Sequence, residues 1–121
     1  AYFNASSLSD GTLRFICLAT LLLQPQLPAV VLLDEPELGL HPASITLLAS
    51  LLASAATRTQ VIVATQSVTL VNQFDPSYVW TVDRTDNQSV FRHLSQADMS
   101  AWLDDYALGE LWEKNVLGAR P

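Results

Sequence analysis

The chain has 121 residues, of which 50% are hydrophobic and 15% charged, a composition that indicates one folded domain and excludes a disordered segment. Its formal net charge is −6, and its six Lys and Arg residues are scattered, so nucleic-acid binding through this acidic segment is not expected. The longest apolar run, residues 15–23, is too short to cross a bilayer, and the single Cys17 excludes an internal disulfide. These features predict a cytoplasmic protein without a membrane partner.

The first predicted helix begins near Ser9 and Asp10, either of which can cap it, and Gly11 allows another backbone or a phosphate to approach closely. Because residues 12–23 are nearly all apolar, we expect this helix to be buried on most of its faces. A serine and a glycine at a helix start also form an anion site, since free N–H groups and the positive dipole end lie there. An ordinary N-cap is the alternative interpretation.

An unbroken apolar run, residues 29–33, leads directly into Asp34 and Glu35. The run predicts a strand that is buried on both faces, as in a parallel sheet covered by helices. Ligands bind at the carboxyl ends of such strands. Because successive side chains of a strand point to opposite faces, one carboxylate can hold Mg²⁺ and the other can orient a water, as in P-loop nucleotide hydrolysis. The alternative is a strand that ends in two solvated acids.

A helix over residues 43–56 and a second apolar strand over residues 60–65 come next. Strand, helix and strand at this spacing predict a βαβ unit with a right-handed crossover. The second strand ends at Gln66, which is therefore expected at the same edge of the sheet as Asp34 and Glu35.

The following residues predict a short helix over 68–74 and then a β-hairpin. Its strands are expected over residues 78–83 and 88–94, the second of them half exposed because its side chains alternate in polarity. Asp86 and Asn87 are typical hairpin-turn residues.

His93 has no metal ligand at a suitable spacing, so we expect it to face solvent. Ser95 and Asp98 resemble a capping box that begins the C-terminal helices. Trp102 and Trp112 in these helices are either packing residues or an exposed stripe that binds a partner.

The order of these motifs resembles the C-terminal half of an ABC-type ATPase, and specifically the RecF/SMC-like and OLD-like branch of AAA-family ATPases. The resemblance covers residues 8–83: Leu-Ser-Asp-Gly at 8–11, Leu-Leu-Asp-Glu-Pro at 32–36 and Leu-Gly-Leu-His at 38–41. It implies an α/β fold in which residues 1–121 form the C-terminal part of a P-loop NTPase domain. That part would hold a partial parallel sheet flanked by helices, followed by a hairpin and further helices.

The resemblance also implies ATP and Mg²⁺ as ligands, with Asp34 as the Walker B metal residue and Glu35 as the general base. Ser9 and Gly11 would belong to the signature motif, which contacts the γ-phosphate of ATP bound to a partner protomer, and Asp10 stands where that motif more often has a second glycine. The ATP-binding residues implied by the resemblance are Ser9, Asp10, Gly11 and Arg14. The D-loop would cross the dimer seam and consists of four residues: Leu38, Gly39, Leu40 and His41. Gln66 stands where the family usually has a switch histidine, and it can bind water or phosphate without carrying positive charge.

No G-x-x-x-x-G-K-S/T segment is present, and the single lysine is Lys114. Nothing in these residues can therefore cradle the β- and γ-phosphates of ATP. We expect the chain to be the C-terminal part of a longer ATPase, or a truncated product of one. Its partner would be a second copy or the missing N-terminal half, and nucleic acid would be contacted only through the parent protein.

Three functional hypotheses follow. The first is one half-site of an ATPase that hydrolyses ATP at a dimer interface, in DNA maintenance or defence. The second is a truncated, non-hydrolysing cassette that acts only as a partner-binding module. A transporter subunit is a weaker third hypothesis, because transporter cassettes more often have a serine-alanine-leucine-aspartate D-loop, which is absent here.

Overall fold

A computed structural model describes residues 9–94 of the chain. The described elements are, in chain order, helix α1 (Asp10–Leu22), strand β1 (Val30–Asp34), helix α2 (Pro42–Ala55), strand β2 (Gln60–Ala64), helix α3 (Val68–Val71), a 3-10 turn (Pro76–Tyr78), strand β3 (Trp80–Thr85) and strand β4 (Gln88–His93). The predicted C-terminal helices, with Ser95, Asp98, Trp102 and Trp112, lie outside the described residues. The chain divides into two compact units, with the boundary between Gln66 and Ser67.

The first unit contains the predicted βαβ arrangement. Strands β1 and β2 pair in parallel, with Val30 opposite Gln60 and Asp34 opposite Ala64, and α2 connects them. Helix α1 packs against α2. The buried apolar side chains of this unit come from both helices and from β1: Leu18, Leu22, Val31, Ile45, Leu48, Ala49, Leu52 and Ala55. The α/β class and the parallel pairing predicted from the sequence are therefore confirmed.

The sheet is buried on one face only, so the prediction of burial on both faces is wrong. Val31 is buried, whereas Leu32 and Ile62, which are paired across the two strands, are 71% and 50% exposed. The physical reason is that the helices among residues 9–94 cover one side of the strands, and no described residue covers the other side.

Helix α1 is likewise less buried than its apolar sequence predicts. Only Gly11, Leu18 and Leu22 are buried, and Ile16 and Cys17 are exposed. Since α2 packs along one side of α1, the apolar side chains on the other sides stay in contact with solvent.

The second unit contains α3 and an antiparallel hairpin of β3 and β4, in which Trp80 pairs with His93 and Thr85 with Gln88. Asp86 and Asn87 have φ values of 51° and 62°, as a two-residue type I′ turn requires, so the turn prediction is confirmed.

Three details of the second unit differ from the predictions. Helix α3 ends at Val71 instead of residue 74. Strand β3 begins two residues later than predicted, because Asp75 caps a 3-10 turn that holds Tyr78 out of the strand. Every residue of β4 is exposed, not every second one, since no described residue covers either of its faces.

His93 is exposed, as predicted, and its ring stacks on Trp80 with 4.8 Å between the ring centroids. Within residues 9–94, none of the helices combines the length and the apolar character that a membrane span needs.

Candidate active site

Asp34 and Glu35 lie at the carboxyl end of β1 and differ in both exposure and backbone conformation. Asp34 is the last residue of the strand and is exposed, whereas Glu35 is partly buried. The Glu35 N–H still donates to the Ala64 carbonyl, at 2.7 Å, but its φ of 46° turns the chain away from the strand direction. A positive φ is uncommon for a residue other than glycine and occurs often at functional sites. The two carboxylates therefore occupy different environments, as unlike chemical roles require.

The N-terminus of α1 contains the predicted signature residues. The Ser9 Oγ caps the helix by accepting a hydrogen bond from the Thr12 N–H at 3.1 Å, and Ser9 and Asp10 are exposed. Arg14 lies one turn further along, and its guanidinium donates to the Glu35 carbonyl at 3.3 Å. One side chain of the predicted signature helix thus holds the backbone of the predicted general base.

The predicted D-loop forms the turn between β1 and α2 and lies against the start of α1. Gly39 has a φ of 78°, which glycine adopts without strain. A Cβ at Gly11 would lie under 3.0 Å from the carbonyl oxygen and carbon of Gly39, so the two backbones are in direct contact. His41 caps α2, where its Nδ1 accepts a hydrogen bond from the Ala43 N–H at 3.2 Å. The structure therefore brings Gly11 of the predicted signature motif and Gly39 of the predicted D-loop together within one chain.

Two residues at the site were not predicted from the sequence: Glu37 and Thr65. Glu37 is 8% exposed, and its Oε1 accepts a hydrogen bond from the Thr65 hydroxyl, while its Oε2 is buried with no partner among the described residues. Thr65 follows β2 directly and precedes Gln66, which is exposed. Two features of the sequence could have indicated these residues: a third acid directly after Asp-Glu-Pro, and a hydroxyl side chain at the end of the second strand.

The side chains at this edge fit a magnesium nucleotide better than a metal held by protein alone. Among residues 9–94, no group of three or more His, Cys, Asp or Glu side chains can hold a metal ion. Mg²⁺, however, usually takes one or two carboxylates and completes its shell with substrate phosphates and waters. The exposed Asp34 offers one such carboxylate, and the N–H groups of the first turn of α1 that Ser9 does not cap can donate hydrogen bonds to a phosphate.

Comparisons with known proteins show the family and the fold of the chain. The model of a family described as "AAA domain, putative AbiEii toxin, Type IV TA system" matches residues 1–72, which is more than half of the chain. A solved structure from work on the ATP-driven dimerization and DNA-stimulated activation of SMC ATPases is similar, with a TM-score of 0.62 and 21% identity. The match covers 83% of this chain and 62% of that chain. No curated protein sequence gives a significant match. The chain belongs to this family of AAA domains, and its α/β fold is similar to that of part of an SMC ATPase.

Proposed function

We propose that this chain forms the signature and Walker B part of an ATP site that is completed at an interface, where ATP is hydrolysed. The observation that supports this most directly is the hydrogen bond from Arg14 to the Glu35 carbonyl, which joins the signature helix to the strand end with the two carboxylates. Contact between Gly11 and Gly39 supports the same proposal, because the predicted D-loop then lies beside the start of that helix.

Each residue has a distinct role in this proposal. Bound MgATP supplies the phosphoryl group that is transferred to water and the cation that neutralises its charge. Asp34 would hold the Mg²⁺, and Glu35 would take the proton of the attacking water as a general base. Ser9 and the N–H groups at the start of α1 bind the terminal phosphate of ATP on a partner protomer. Gln66 orients the water or a phosphate oxygen by hydrogen bonding.

The phosphate-cradling loop must come from elsewhere, because the 121 residues contain no G-x-x-x-x-G-K-S/T segment. We propose that it is supplied by further sequence of the same ATPase or by a second protomer, and that the dimer forms around ATP. Both matches, to a putative toxin family and to an SMC ATPase with DNA-stimulated activation, favour a role in DNA maintenance or defence. The net charge of −6 indicates that any nucleic acid is bound by other residues of the assembly.

The second candidate function is a cassette that binds a partner without hydrolysing ATP. The exposed apolar face of the sheet, with Leu32 71% exposed, favours it, because an apolar surface of this kind suits a protein contact.

Substitution of Glu35 by glutamine separates the two candidates. In a protein that contains both this chain and a P-loop, Glu35→Gln is expected to slow hydrolysis by about 10²–10⁴-fold, because the general base is lost. ATP binding should be unchanged, since the amide is nearly isosteric with the carboxylate. Asp83→Asn, at an exposed carboxylate of β3, is the matched control and should retain wild-type turnover. Equal turnover of Glu35→Gln and wild type at saturating ATP would refute the general-base role.

A further inference from the structure

We propose that Glu37 is a positioning residue, which acts through Thr65 to fix the turn carrying Glu35 relative to the strand end carrying Gln66. This inference rests on the proposed function, since it concerns the alignment of the two groups that would act on the attacking water. Glu37 itself is buried, so it acts through its neighbours and not by touching the substrate.

The contacts of Glu37 place it between the two segments. Its side chain accepts a hydrogen bond from the Thr65 hydroxyl, and its backbone carbonyl accepts another from the Leu40 N–H at 3.0 Å. The same turn is closed by the Leu38 N–H, which donates to the Glu35 carbonyl at 3.2 Å. Glu37 therefore connects the turn after β1, through one side-chain hydrogen bond, to the residue that precedes Gln66.

The energetics argue against a purely stabilising role. A buried carboxylate loses its hydration, and only hydrogen bonds to both oxygens offset that loss fully. Glu37 has one such bond, while its Oε2 is buried without a partner among the described residues. An apolar side chain of the same length would avoid this desolvation cost. A carboxylate here therefore suits the alignment of Thr65 better than it suits stability.

The test compares Glu37→Met with Glu37→Gln, which have similar size but differ in their ability to accept the Thr65 hydrogen bond. In the protein that contains this chain and a P-loop, Glu37→Met should lower kcat on the order of 10²-fold with little change in KM, because misplaced groups slow chemistry more than binding. Its melting temperature should be unchanged or raised. Glu37→Gln should retain most of the wild-type kcat, since an acceptor oxygen remains.

Thr65→Val should lower kcat at least as much as Glu37→Met does, and the double variant should lose no more than Thr65→Val alone, because the hydrogen bond to Glu37 is already absent from Thr65→Val. Thr81→Val is the control and should keep wild-type kcat, because it removes the side-chain hydrogen bond of a threonine in strand β3, outside the candidate site. Unchanged kcat in Glu37→Met would overturn the proposal. The proposal would also be overturned if Glu37→Met and Glu37→Gln lost kcat to the same extent and both had a lower melting temperature, because that pattern indicates a structural role.

Hydrogen exchange on the 121-residue chain tests the inference independently of ATP hydrolysis. Glu37→Met should raise the exchange of the Leu38 and Leu40 amides on the order of ten-fold, while the amides in the middle of α2 keep wild-type rates. Unchanged exchange at both turn amides would overturn the proposal. If turnover of the wild-type protein does not depend on Glu35, the proposed function is refuted. The exchange rates of the Leu38 and Leu40 amides would then still show whether Glu37 holds the turn in place.

Discussion

At two described glycines, Gly11 and Gly39, an added side chain would meet either a close backbone contact or a strained backbone conformation. Gly39 has a φ of 78°, and any Cβ at Gly11 would meet the Gly39 carbonyl group at under 3.0 Å. Helix propensity alone favours alanine over glycine by about 1 kcal/mol. At Gly11, the close contact with the D-loop outweighs that preference.

We therefore expect Gly11→Ala to destabilise the chain, although it improves helix propensity. Gly39→Ala should cost about 1–2 kcal/mol, the usual penalty for a side chain in the left-handed region. Urea unfolding of each variant measures both effects. Thr20→Ala, at an exposed position in the same helix, is the control and should stay within about 0.5 kcal/mol of wild type. A Gly11→Ala chain at least as stable as wild type would show that the two backbones are not in contact.

At the scale of elements, the C-terminus of α1 is held by a residue distant in sequence. Arg58 follows α2, and its two guanidinium nitrogens donate to the carbonyls of Leu22 at 2.8 Å and Gln24 at 2.7 Å. Carbonyls at a helix C-terminus have no partner within the helix and carry partial negative charge. Arg58 thus links the ends of the two helices that pack on each other.

Removing the two hydrogen bonds of the Arg58 guanidinium should destabilise the first unit. Arg58→Met keeps much of the apolar stem but removes both hydrogen bonds, and we expect a loss of about 1–3 kcal/mol. Arg58→Lys should recover only part of it, because an ammonium group cannot reproduce the planar fork. Thermal unfolding checks the order of the three proteins. Arg84→Met, at an exposed arginine of the hairpin, is the control, and an Arg58→Met chain as stable as that control would contradict this role.

The sequence predicted which helices and strands form, and in what order, better than it predicted their burial and their contacts with one another. Hydrophobic period and length distinguish strands from helices, so the βαβ unit and the hairpin were expected correctly. Burial was overestimated at Leu32 and Ile62, because apolar sequence shows what a strand is able to bury and not which residues cover it. Asp34 and Glu35 were placed correctly at a strand end. The contacts of Glu37 with Thr65 and of Arg14 with Glu35 were missed, since residues this far apart leave no local pattern.

For the molecule as a whole, the described residues include groups suited to metal binding, to proton transfer and to the terminal phosphate of ATP on a partner protomer, but none that would enclose the rest of a nucleotide. Asp34, Glu35 and the start of α1 offer the first three. The single lysine, Lys114, lies outside any P-loop sequence. The central claim is therefore that these residues form part of an ATP site and bind the nucleotide only when a P-loop is supplied.

Isothermal titration calorimetry of MgATP tests this claim most directly. The 121-residue chain should give no heat of binding, because no loop in it can cradle the β- and γ-phosphates. The same residues joined to a P-loop-bearing segment should bind MgATP with one nucleotide per completed site, and Asp34→Asn should weaken that binding through the metal. Stoichiometric MgATP binding by the 121-residue chain as a monodisperse monomer would contradict the account.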